Sequence, residues 1–110
     1  MKTTKYNNKR ATYQGESFDS QAELKRYQDL QRLQKAGLIS GLTRQTSFVL
    51  APKVVINGTA KRSLTYRADF QYLDQAGKVI VEDKKGALTD VYKIKRHLMK
   101  SVHNIDILET

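Results

Sequence analysis

Residues 64–86 read LTYRADFQYLDQAGKVIVEDKKG, two strand-like runs joined by one turn with carboxylates set among the apolar residues. Leu64, Tyr66, Ala68, Phe70 and Tyr72 alternate with Thr65, Arg67, Asp69 and Gln71, the period-two pattern of a strand with one apolar face. Val79, Ile80 and Val81 then lead into Glu82-Asp83-Lys84-Lys85-Gly86. Gln75-Ala76-Gly77 joins the two runs by a turn short enough to make them antiparallel neighbours. Strands are depleted in Asp. Asp69 in one run, Asp83 in the next and Lys85 two residues on therefore need a use for their charge. On a strand Asp83 and Lys85 point to one side, Glu82 and Lys84 to the other. Opposed residues of neighbouring strands hold their Cβ atoms about 4.5–5.5 Å apart, close enough for two carboxylates to reach one ion. Left unpaired they repel, and one pKa rises. A divalent cation relieves this, and Mg²⁺ takes carboxylate oxygens while keeping several waters.

Outward from this stretch the remaining elements can be read. Ser20 with Glu23 three residues on is a helix start, and the helix runs over 21–35 until Ala36-Gly37 ends it. Leu24, Tyr27, Leu30 and Leu33 form its apolar stripe. At about 100° per residue Glu23 falls within that stripe, which capping alone does not require, so Glu23 is a third candidate carboxylate beside its capping role. Residues 38–43 read as a connector and 45–50 as a strand stopped by Pro52. Val54-Val55-Ile56 followed by Asn57-Gly58 is a hairpin signal. Thr89 caps a second helix over 90–102, with Asp90 near its positive end. On that helix Tyr92 and Lys95 lie about one turn apart, both able to face the strand ends. Residues 105–108 form the last strand. Residues 1–12 read as a flexible basic arm, with a short extended piece near 11–13. The order α-β-(β)-β-β-α-β predicts one α/β domain over residues 1–110. Its central mixed sheet has four to five strands: an antiparallel meander of 45–50, 64–73 and 78–84, and a final strand made parallel by a crossover. Helices flank the sheet.

Composition narrows the chemistry. At 110 residues the chain is the size of one domain. It has no Cys, which excludes disulfides, thiolate zinc sites and cysteine nucleophiles. Only His97 and His103 bring imidazole, too few for a His-rich zinc site. No apolar run approaches the ~20 residues of a membrane span, and no hydrophobic segment follows the basic residues Met1 to Lys5 as in a signal peptide. The expectation is a cytoplasmic protein without a membrane partner. A net charge of +9 points to a polyanion, nucleic acid first. Lys2, Lys5, Lys9, Arg10, Lys53, Lys61 and Arg62 lie in segments read as arm or loop. Lys84, Lys85, Lys93, Lys95, Arg96 and Lys100 cluster around the carboxylates. The plainer alternative is a solvated basic surface. Tyr66, Phe70 and Tyr72 could stack on bases, but their alternation reads as core.

A Glu on a first helix, an Asp on a strand, Asp-x-Lys on the next strand, then a helix and a strand resembles the PD-(D/E)xK nuclease superfamily. Glu23, Asp69, Asp83 and Lys85 carry the likeness. Most of residues 13–109 also resembles a small phage-borne branch of it, through Phe18-Asp19-Ser20-Gln21-Ala22-Glu23, Gly37-Leu38-Ile39 with Gln45, Tyr66-Arg67-Ala68-Asp69-Phe70, Glu82-Asp83-Lys84-Lys85-Gly86, and Thr89 through Tyr92 to Lys95. Ala68 stands where the motif's name has proline. Glu82-Asp83-Lys84 offers a second register; Asp83 and Lys85 are preferred because Val79 and Val81 share their side and Gly86 follows. The resemblance implies a restriction-endonuclease-like αβββαβ core and a Mg²⁺-dependent DNA endonuclease, with Mn²⁺ substituting, phage-encoded and working in the cytoplasm of a bacterial host. Asp69, Asp83 and the Lys84 backbone carbonyl would hold the metal, Glu23 would hold that ion or a second one, and Lys85 would orient the nucleophile or stabilise the transition state. Gln45, Lys84, Tyr92, Lys95, Arg96, Lys61 and Arg62 are the candidate DNA contacts. Junction or flap DNA is a candidate substrate, and a junction resolvase would need a homodimer to present two sites. Two other readings stay open: a non-catalytic nucleic-acid-binding module, and a phage inhibitor protein that reuses a nuclease fold.

Overall fold

The computed structural model describes residues 10–85 and 87–110; Gly86 and the arm cations Lys2, Lys5 and Lys9 lie outside them. Helix α1 (Gln21–Lys35) starts where the Glu23 N–H donates to Ser20 Oγ at 3.1 Å. It ends at Gly37, whose φ of +82° only glycine adopts freely. Helix α2 (Asp90–His103) starts with the Tyr92 N–H donating to Thr89 Oγ1 at 3.1 Å and ends on Asn104 in the left-handed region. Both caps stand where the sequence places them.

Strands β1 (Ala11–Tyr13) and β2 (Glu16–Phe18) form a hairpin, so the extended piece expected near 11–13 is a strand and Ala11 and Thr12, at the end of the expected arm, pair with β2. Strand β3 (Ser40–Ala51) begins inside the expected connector 38–43, with an irregularity between Ser40 and Thr43 where Gly41 takes a φ of +65°. Strands β4 (Val54–Ile56) and β5 (Thr59–Lys61) are the hairpin signalled by Asn57-Gly58. Strand β6 (Leu64–Leu73) pairs antiparallel with β3 and with β7 (Val79–Asp83), and β7 pairs parallel with β8 (Leu108–Glu109). The last strand is thus shorter and later than the expected 105–108, because Ile105 and Ile107 pack against the core beside α2 instead. Among the described residues the fold is a mixed α/β one, with a four-stranded sheet in the order β3-β6-β7-β8 and two helices.

The sheet buries two clusters. Leu50, Tyr66, Ala68 and Val81 pack with Tyr92 and Met99 of α2. Phe70 and Tyr72 pack with Leu30 of α1, with Tyr27, Leu33 and Ile80 around them. The expectation that Tyr66, Ala68, Phe70 and Tyr72 share one face is therefore corrected. The alternation slips where Gln45, at a φ of +54°, stands on β3 between the pairs Arg44–Phe70 and Thr46–Ala68. On β3 the slip brings the hydroxyls of Thr43 and Thr46 within 3.1 Å, although residues three apart on a regular strand point to opposite sides.

Candidate functional site

The β6–β7 ladder ends with Phe70 opposite Glu82; just beyond it the Asp69 and Asp83 carboxyls lie beside each other. Asp69 Oδ2 accepts from the Lys84 N–H at 2.8 Å. Asp83, only 4% exposed, accepts from the Tyr66 hydroxyl and lies 2.8 Å from Lys85 Nζ. The Lys85 ammonium sits 4.0 Å over the Tyr92 ring. Burial first, then the adjacent Asp83, pushes the Asp69 carboxyl up to about 8; the Lys84 N–H opposes the rise and Glu23 adds to it. Burial, followed by the Asp83 carboxylate, holds the Tyr66 hydroxyl above the usual phenol range.

Glu23 is buried, as its place in the α1 stripe requires. Its carboxylate does not turn back to close a capping box. It accepts from Gln45 Nε2 at 3.1 Å and from an Arg44 amino group at 3.3 Å. Arg44 lies 3.8 Å over the Phe18 ring and also reaches Glu16 at 2.6 Å. Glu23, Asp69 and Asp83 line one cleft of about 590 Å³. Arg67, Lys84, Lys85 and Lys95 line it as well, and Thr89, the α2 cap, puts a helix N-terminus at its wall. Such a terminus favours anions.

Among the described residues no three carboxylates or imidazoles close on one point as a ready metal cage. What exists is an adjacent Asp pair, with Glu23 lining the same cleft and tethered by Arg44 and Gln45. Two carboxylates suit a hard ion that keeps most of its waters. The rise at Asp69, caused by burial and then by the adjacent Asp83, is what a cation would relieve.

The remaining candidates divide. Gln45, Lys84, Tyr92 and Lys95 line the cleft. Lys84 enters the hydrogen-bond pattern through its N–H. Arg96 is turned away to Glu109, at 2.9 Å, which also takes the Tyr92 hydroxyl at 2.6 Å. Lys61 and Arg62 belong to the β4–β5 hairpin, off the cleft. The second register, through Glu82, leads elsewhere: Glu82 is fully buried on the α1 face, where it takes both a bidentate Arg26 and the Tyr72 hydroxyl at 2.6 Å. Sequence reasoning missed Arg44, Arg67 and the Tyr66 hydroxyl. Tyr66 reads as core by alternation, and only the slip at Gln45 and Asp69 turns it toward Asp83.

No helix among the described residues is long and apolar enough to cross a membrane. The chain belongs to the family described as protein of unknown function (DUF1064), which residues 3–107 match. No curated protein and no solved structure matches it.

Proposed function

We propose that this chain is a metal-dependent DNA endonuclease built on a restriction-endonuclease-like core. The observation that carries the reading is the Asp69 and Asp83 carboxyls side by side in a cleft walled by cations, with Lys85 paired to Asp83. Asp69 and Asp83 would hold Mg²⁺ or Mn²⁺, with Glu23 the third carboxylate. Bound there, a divalent ion supplies an acidified water and neutralises charge on the phosphate. The chain's own groups do the positioning. Tyr66 fixes one Asp83 oxygen, and Lys85 is set to bind a phosphate oxygen or orient the attacking water. Gln45 and Arg44 hold Glu23. The Lys84 N–H anchors Asp69 so that its other oxygen can face the cleft. Arg67, Lys84 and Lys95 are placed to meet the DNA backbone. Phage origin and a preference for junctions or flaps belong to the same reading.

Purified protein is incubated with linear duplex, single strand, flap and four-way junction DNA, in Mg²⁺, Mn²⁺ or EDTA. Cleavage is expected with either metal and none with EDTA. Asp69→Asn, Asp83→Asn and Lys85→Ala should each lower the rate by about 10²-fold or more while DNA binding persists. Cleavage that survives in Asp83→Asn sinks the site. A second reading has one observation in its favour: Tyr66 and Lys85 already satisfy Asp83. DNA bound but never cut, with or without metal, would establish a non-catalytic binding module.

A further inference from the structure

We propose that the β4–β5 hairpin is an arm that enters the major groove of the duplex held in the cleft. This rests on the reading of the cleft as a DNA site. Residues 52–65 are all exposed, and among the described residues β4 and β5 pair only with each other, in a sheet separate from the four-stranded one. Val54, Val55 and Ile56 stand 44%, 68% and 51% exposed, and Leu64 at the hairpin's root 57%. A lone two-stranded hairpin is at best marginally stable in water, and among the described residues none of these side chains joins either core cluster. Their use therefore lies outside the body of the protein.

Charge says what the partner is. From Gln45 through Ala68 the sequence has no Asp or Glu, and it carries Lys53, Lys61, Arg62 and Arg67. A second copy of the chain would bring the same cations against these, whereas a polyanion neutralises them. The ribbon also stands on the strand that carries the cleft. Leu64 precedes Asp69 by five residues, roughly 17 Å along a strand, and Arg67 between them lines the cleft wall. A two-stranded ribbon fits the major groove, where aliphatic side chains meet thymine methyl groups. Lys53, Lys61 and Arg62 at its base then reach phosphates on either side.

The test uses two variants of the full chain: Lys53→Ala/Lys61→Ala/Arg62→Ala, and Val55→Ser/Ile56→Ser. Since residues 52–65 are exposed, both should melt with the wild type. Affinity for a labelled duplex is read by anisotropy in EDTA across a range of KCl. The charge variant should bind at least about tenfold more weakly, and its plot of log K against log salt should flatten by about 3, near 0.9 for each phosphate no longer neutralised. The tip variant should lose affinity with the slope unchanged. A short single strand that fits the cleft alone should bind both variants as it binds wild type. Unchanged duplex affinity and slope in both variants overturn the arm. So does a wild-type dimer that the tip variant converts to monomer with DNA affinity intact. The two readings fail separately: weaker duplex binding by the variants, with no cleavage by wild type, keeps the arm and sinks the nuclease. Wild-type affinity in the variants beside metal-dependent cleavage does the reverse.

Discussion

Glu82 and Asp83 are adjacent carboxylates with opposite surroundings. Strand alternation sends Glu82 under α1, where Arg26 and Tyr72 saturate it, and Asp83 into the cleft. The Glu82 hydrogen bond holds Arg26 above its usual range, and burial pushes Tyr72 up to about 12. Arg26→Ala would leave a fully buried carboxylate with one donor, and the expected loss is about 3 kcal/mol, read as a lower urea midpoint. Tyr72→Phe should cost less, about 1–2 kcal/mol. Asp69 behaves differently. Its folded value of about 8 lies above the ordinary carboxylate value of about 3.9, so the folded state keeps a proton that the unfolded state gives up. The stability this contributes is present in full below pH about 4 and is lost as pH rises through about 8. In EDTA, Asp69→Asn should therefore gain on wild type between pH 5 and pH 8.5 in urea unfolding. A constant difference across that range would show that burial and Asp83 do not raise the Asp69 carboxyl.

At the level of elements, most of the site was legible because it rests on local rules. A short turn around Gly77 forces antiparallel pairing, and the nearness of Asp69 and Asp83 follows from the turn length. Helical periodicity alone points Glu23 inward. The rest depends on Gln45, and nothing in the sequence marks it: a glutamine in the left-handed region is not a recognised breaker. That one residue swaps the faces of β3 near Asp69, turns Arg44 toward Glu23, and accompanies the turn of Tyr66 toward Asp83. Strand β2 was equally hidden, since Glu16-Ser17-Phe18 is too short for a period. The importance of Gln45 can be tested directly. Gln45→Gly removes a backbone cost of about 1 kcal/mol and one hydrogen bond to a carboxylate worth about 1.5 kcal/mol, so its stability should stay within about 1 kcal/mol of wild type. Gln45→Val loses the same bond and forces a β-branched residue into that conformation, at about 2 kcal/mol or more. Chemical denaturation of the pair separates the backbone from the side chain. Equal losses would mean that the left-handed turn is not what shapes the cleft.

For the whole molecule the question is whether a net charge of +9 is placed or merely spread. A spread charge acts through the mean field, and any lysine would count alike. A placed charge acts through direct pairing, and each phosphate neutralised releases its own counterions. Helix α2 carries both kinds of lysine. Lys95 lines the cleft, Lys93 is exposed, and Lys100 is paired with Asp106 at 3.0 Å. Lys84→Ala/Lys95→Ala and Lys93→Ala/Lys100→Ala remove the same two charges, and so change the mean field equally. The first pair should flatten the salt dependence of duplex binding by about 2 in log–log slope, and the second should leave it nearly unchanged. Anisotropy titrations at several KCl concentrations give both slopes. Equal slopes would reduce the basic surface to a general attraction for polyanions, and the DNA path from hairpin to cleft would lose its support. Unequal slopes would tie the surplus charge to the same wall that holds Asp69 and Asp83.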